Sequence, residues 1–198
     1  EKLKKHREHF KVVDALKEDT KNLRYSEGIE AYVEKLILYL KTVDPDRKLI
    51  VGIDSLNDVS HLEKSMEAKE RNEKTAQWAK GMAKKFDIPV FGTTHLRKVN
   101  GNRRPTPDDL KDTVEYHYES SVMFLVYNDV SKNKEAANVH YNNANREGKS
   151  PVIELDWAKN KNSSYKGRTY YYFVPEESRL SETNLDVKRS YDTTVYEQ

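Results

Sequence analysis

Cysteine is absent from the 198 residues, which excludes disulfides, thiolate-held zinc, iron–sulfur clusters and a thiol nucleophile together. The composition fits a reducing compartment, and the cytoplasm is the expected location. No apolar run approaches the roughly 18 residues that a membrane-spanning helix needs. The opening EKLKKHREHF also lacks the apolar stretch of an export signal, so no membrane partner is expected. An excess of one charge is missing as well. Thirty-five Lys and Arg stand against 33 Asp and Glu, a formal net charge of +2. That balance excludes an all-over basic coat for nucleic acid and confines any such contact to local stripes in loops.

What remains is a polar chain, 34% charged and 36% apolar, whose apolar residues are gathered in short runs and are enough to fold. The length allows one α/β domain with a real core. The first residue is Glu rather than Met, so the sequence reads as a piece of a longer chain.

Residues 1–10 read as the end of a helix, and KVVDAL, ending near Leu16, predicts a first strand. From Ser26, SEGIEAYVEKLILYL sets Ile29, Val33, Leu36, Ile37 and Leu40 on one face, an amphipathic helix with Ser26 as N-cap. DPDR turns the chain into KLIVGID, Lys48 to Asp54, whose nearly continuous apolar run predicts a buried parallel strand. A second helix is expected from about Leu62 to Phe86, with Met66, Ala76, Ala79, Met82, Ala83 and Phe86 as a loose apolar face. IPVFGTT follows as a strand ending near Thr93, and RKVNGNRRPTPDD reads as an irregular basic loop. SVMFLVY, Ser121 to Tyr127, is a fourth buried strand; VIELDWAK and RTYYYFV, joined by NKNSSYKG, form a closing hairpin. Tyr170, Tyr171 and Tyr172 suit an edge strand, and residues 176–198 read as a polar C-terminal tail. Helices alternating with apolar strands predict a mostly parallel twisted sheet with helices on both faces and the hairpin at its edge. Ligands of such sheets lie outside the carboxyl ends of the strands.

Three places at those ends carry chemistry. Asp54 directly follows an apolar strand, where a nucleotidase holds magnesium through the ion's water shell; an aspartate there also caps a turn, and the run alone leaves both readings open. His95, in TTHL, falls at the same edge, where an imidazole can donate to a terminal phosphate or simply stand in solvent. Lys159 and Lys161, in AKNKN, alternate at the end of a strand and can project together into a cleft, or form a solvated edge. Arg97, Lys98, Arg103 and Arg104 could track phosphates without reading sequence, or belong to a solvated loop.

In order and spacing these pieces resemble the DnaB-like replicative helicase family of the RecA-like ATPases, from Phe10 to Val174. LIVGIDSLNDV resembles the family's Walker B strand, KTAQWAKGMAKKFDIPVFGTTHLRK its helix, strand and phosphate sensor, and RPTPDDLKDT its DNA loop; SSVMFLVYND and ELDWAKNKN follow in family order. The resemblance implies that residues 1–175 form part of a RecA-like ATPase core, the part that follows the phosphate loop. It implies ATP and Mg2+ as cofactors, a hexameric ring and single-stranded DNA as partners. Asp54 would be the magnesium-associated carboxylate and His95 the γ-phosphate sensor. Lys159 and Lys161 would reach a neighbouring subunit's ATP, although the family has Arg at the second position and Lys161 cannot make the planar two-point contact. Lys111 matches an arginine of the DNA loop, and Val114 stands where a glycine is usual.

The loop that grips nucleotide, G-x-x-x-x-G-K-[ST], is not in the sequence; the family has it, and its catalytic glutamate, upstream of the matched segments. NANREGKS is a decoy, with Asn143 for the first glycine and Pro151 opening a strand after it. These residues alone are therefore expected to hydrolyse little or no ATP. Two other readings stay open. One is a metal-dependent phosphoesterase or nuclease drawing ligands from Asp54, Asp58, His61, His95 or His117. The other is a non-catalytic nucleic-acid-binding module that reuses the fold and stacks bases on its tyrosines.

Overall fold

The computed structural model describes residues 9–62, 66–99, 103–128, 152–174, 177–183, 185 and 189. The decoy NANREGKS lies outside the described residues, as do residues 1–8 and most of 184–198. The chain divides into two compact units, Glu1–His95 and Leu96–Gln198.

The first unit is a helix, a strand, a helix and a parallel strand. The expected first strand is not one: residues 10–14 form no ladder, and a short 3-10 helix, Glu18–Arg24, follows. β-branched residues suit a strand, but a strand exists only with a neighbour to bond, and among the described residues KVVDAL has none. Phe10, Val12 and Leu16 lie exposed. Helix α1 (Ser26–Val43) follows, with Val33 buried and Ile29, Leu36, Ile37 and Leu40 partly covered, the face the sequence predicts. Gly28 sits so close to the Asn22 carbonyl that a Cβ would collide with it, which is why this turn of α1 takes no side chain. Ser26 is not the N-cap: Tyr25 occupies that position, and the Ser26 hydroxyl meets Nδ1 of His61 at 2.7 Å.

Strand β1 (Val51–Ile53) pairs in parallel with β2 (Val90–Gly92) in the register Val51↔Val90, Gly52↔Phe91, Ile53↔Gly92. Helix α2 (Ala68–Phe86) is the crossover that a parallel pair requires. It begins six residues later than Leu62. The chain from Leu56 to His61 is committed elsewhere: Ser60 exchanges backbone hydrogen bonds with Arg24 and Ser26, and His61 Nε2 lies 3.0 Å from the Thr75 hydroxyl. Met66 therefore precedes the helix, while Ala76 and Met82 are buried on its inner face. Asp87 ends α2 in the left-handed conformation, and Lys84 and Lys85 complement the helix dipole in the last turn. Glu30 of α1 ties the two helices, accepting from Trp78 Nε1 at 3.3 Å and Lys85 Nζ at 2.5 Å.

The second unit opens with an isolated bridge, Leu96↔Leu110, and a 3-10 turn, Pro107–Asp109, closed by a Thr106–Asp109 capping box. A five-residue helix α3 (Glu115–Glu119) leads to β3 (Val122–Asn128), β4 (Val152–Asn160), β5 (Arg168–Val174) and β6 (Arg179–Glu182). These strands form an antiparallel sheet in the order β3-β4-β5-β6. The predicted hairpin is β4–β5. The parallel part of the expected sheet is, among the described residues, the pair β1–β2, and β3 runs antiparallel to β4 instead of joining it. β5 is also no edge. Strand β6, from a stretch with no sequence periodicity, covers it, so Tyr170 is buried and shares a cross-strand row with Tyr127 and Glu154.

Candidate functional site

At the carboxyl end of β1–β2 the backbone ladder stops and side chains continue it. Thr93 N–H donates to the Ile53 carbonyl at 3.0 Å, and Leu56 N–H to the Thr93 carbonyl at 2.9 Å. The Thr93 hydroxyl donates to Oδ1 of Asp54, while Oδ2 accepts no hydrogen bond among the described residues. The Asp54–Ser55 peptide is cis. Ser55 donates to Asp58 at 2.6 Å, closing a tight 3-10 turn, Leu56–Asp58. The side-chain oxygen Oδ1 of the buried Asn57 then accepts from the Thr94 hydroxyl at 2.8 Å and from His95 N–H at 2.9 Å. Gly92 makes this closeness possible, because a Cβ there would run into the Leu56 side chain.

Asp54 and His95 thus leave adjacent parallel strands at the same end, both exposed, on segments bonded to each other. Thr93, Thr94 and Asn57 do the bonding, and no motif in the sequence singles them out. Their only signal is position, directly after the two apolar strands.

One exposed carboxylate suits magnesium, a hard ion that keeps much of its water shell and completes its coordination with phosphate oxygens. It does not suit a metal held by protein alone: among the described residues no three His, Asp or Glu side chains gather. His61, a candidate ligand by sequence, has both ring nitrogens engaged, by Ser26 and Thr75, and is buried. Asp58 accepts from Ser55. His117 lies in the second unit, where burial first and the Lys159 charge second push its pKa down, favouring the neutral imidazole.

The basic candidates of the second unit fall into exposed and engaged groups. Arg97, Lys98, Lys111 and Lys161 are exposed. Arg103 makes a two-point contact with Asp109, at 2.7 and 2.8 Å, and Arg104 is covered and grips Glu154 through Nε and Nη2 at 2.8–3.1 Å. Lys159 donates to the carbonyls of His117 and Tyr118, capping the end of α3. Lys161 follows the last residue of β4 and bonds Ser121 through its backbone, so the two lysines do not share one strand.

Arg103 holds the Asp109 carboxyl well below the usual carboxylate range, helped by Thr106 N–H. A depressed carboxyl pKa contributes stability above its unfolded value of 3.8 and loses it as pH falls through the folded one. The melting temperature is expected to fall below about pH 4, because there the Asp109 carboxyl of the unfolded chain takes up a proton that the folded one does not. Arg103→Ala should flatten that part of the curve, read from thermal melts over a pH series.

No known protein family and no curated protein matches the sequence. Solved structures do match the fold. The separately solved ATPase domain of one DnaB-like helicase superimposes with a TM-score of 0.65 at 18% identity, over 81% of this chain and 52% of that one. A DnaB-like replicative helicase, solved in a study of its interactions with primase, gives the same TM-score and identity over 81% of this chain and 35% of its own. The chain has the fold of DnaB-like helicase ATPase domains, and it spans about half the length of the first structure and about a third of the second. No helix among the described residues is long and apolar enough to cross a membrane.

Proposed function

We propose that the chain supplies the later half of the ATPase core of a DnaB-like helicase: the magnesium carboxylate, the phosphate sensor and the DNA-facing loop. The observation that carries this reading is the pairing of Asp54 and His95 on segments laced together beyond two parallel strands, in a fold shared with helicase ATPase domains. The phosphate loop lies outside these residues.

In this reading Asp54, oriented by Thr93, would hold magnesium through the ion's water shell, and the ion would supply positive charge against the nucleotide's phosphates. His95 stands at the γ-phosphate and donates a hydrogen bond that is present with triphosphate and lost with diphosphate. Arg97, Lys98 and Lys111 contact the phosphates of single-stranded DNA without reading bases. Arg103 and Arg104 shape that loop through Asp109 and Glu154 instead of meeting DNA. Lys161, and Lys159 on release from α3, face the ATP of a neighbouring subunit in a hexameric ring. The reading puts the protein in the cytoplasm. Residues 1–175 serve as the partial core, with 176–198 as its tail.

The test is Mg-ATP titration of the 198-residue chain while its thermal unfolding is followed. A half-site is expected to show no stabilisation at millimolar Mg-ATP, since tight binding at 100 times Kd would add about 2.7 kcal/mol. Clear stabilisation that vanishes in Asp54→Ala and His95→Ala would mean that these residues form a nucleotide site of their own and that the half-site reading is wrong.

A further inference from the structure

The turn after β1 holds a buried amide that the proposed chemistry does not itself use. Asn57 is 9% exposed, and its side-chain oxygen accepts from two groups of the sensor segment, the Thr94 hydroxyl and His95 N–H. Only an acceptor serves there: the His95 N–H can do nothing but donate, which fixes which end of the amide faces it. Its Nδ2 is buried and meets no hydrogen-bond partner among the described residues, so the residue is not held by a balanced polar network of its own. Asn57 lies three residues beyond Asp54, inside the turn that Ser55 and Asp58 close.

We propose that Asn57 is a positioning residue that fixes His95 relative to Asp54 and so couples the carboxylate turn to the phosphate sensor. This rests on the sensor role of His95 given above. Backbone pairing ends with Leu56 N–H on the Thr93 carbonyl, two residues short of His95. Past that point, among the described residues, the hydrogen bonds that connect the Thr94–His95 segment to the turn are the two on Asn57 Oδ1. Movement of the turn when Asp54 engages or releases its ligand is thereby carried to the His95 backbone. Without Asn57 the imidazole keeps its chemistry and loses its place, and a displacement of about 1 Å at such a group can lower a rate by about a hundredfold.

The test uses the full-length protein and a double-mutant cycle of Asn57→Ala with His95→Ala, read as kcat for ATP hydrolysis. The expected result is a fall of about tenfold or more in N57A, with KM for ATP within about twofold, and a double variant no slower than H95A alone. Hydrogen exchange is the second readout. The His95 amide should lose protection in N57A, while the Leu56 amide, bonded to Thr93, keeps it. Asn57→Asp, which preserves shape and an accepting oxygen, should retain kcat within about fivefold and keep the His95 amide protected. Multiplying losses in the double variant, loss of protection at both amides, or N57D as slow as N57A would each overturn the positioning role. A full-length wild-type protein that hydrolyses no ATP would instead overturn the ATPase reading, and a hydrolysing protein indifferent to N57A would overturn this inference alone.

Discussion

Asp54→Asn is expected to lower kcat for ATP hydrolysis by the full-length protein by at least about a hundredfold while leaving its melting temperature within about 2 °C of wild type. The two halves of that result separate the two roles an aspartate can have here. As a turn cap, Asp54 would contribute to stability and little to rate. As the magnesium carboxylate, it contributes its negative charge to the site and little to the fold. The geometry favours the second outcome. Asp54 is exposed, its partner among the described residues is the Thr93 hydroxyl, and an asparagine oxygen can accept that same hydrogen bond. The turn itself is closed by Ser55 and Asp58 and by backbone bonds from Leu56 to Thr93, none of which the substitution removes. A D54N protein that melts several degrees lower and still turns over would assign Asp54 to the turn.

The largest stability effect is expected at Arg104. Its guanidinium makes three hydrogen bonds to Glu154, a carboxylate that is 1% exposed at the centre of the β3–β4–β5 sheet. Removing Arg104 strips the buried Glu154 of its hydrogen-bonded partner and leaves it the more distant Arg168 at 3.6 Å, and Arg104→Ala should destabilise the protein by about 3–5 kcal/mol. For a chain of this length that is a fall on the order of 10 °C in Tm. The pH dependence follows from Glu154. Burial pushes its carboxyl up from the ordinary value of 4.5, against the pull of Arg104 and the weaker pull of Arg168. A raised carboxyl pKa means that the folded state binds the proton more tightly, so stability declines as pH rises from the unfolded pKa through the folded one. Without Arg104 that decline steepens. The R104A defect should be larger at about pH 8 than at about pH 5, and Glu154→Gln in the R104A background should recover most of it. A defect independent of pH and unaffected by E154Q would mean that Arg104 acts through packing of its stem.

Elements with their own periodicity are legible in the sequence. The covered face of α1 follows the spacing of Ile29, Val33, Leu36, Ile37 and Leu40, and β1 and β2 fall inside the apolar runs that end at Asp54 and Thr93. Elements that depend on a distant partner are not. KVVDAL has strand propensity and, among the described residues, no strand beside it. RLSE has no pattern and becomes β6 because β5 offers it an edge. At the site, Asp54 and His95 stand out by their place after apolar runs, but the groups that link them do not. Asn57 looks like any turn asparagine until its 38-residue separation from His95 closes to 2.9 Å. By sequence His61 and Arg104 look available for a ligand, since a sequence does not show that Ser26 and Thr75 engage the first or that Glu154, 50 residues on, engages the second.

Helicase function itself is tested most directly by strand displacement from a forked DNA duplex by the full-length protein, with Mg-ATP, in wild type and in D54N. The expected result is displacement that requires ATP and disappears in D54N while single-stranded DNA binding persists. Binding with no displacement at any ATP concentration, unchanged by D54N, would contradict it and favour a nucleic-acid-binding module that has kept the fold without the motor.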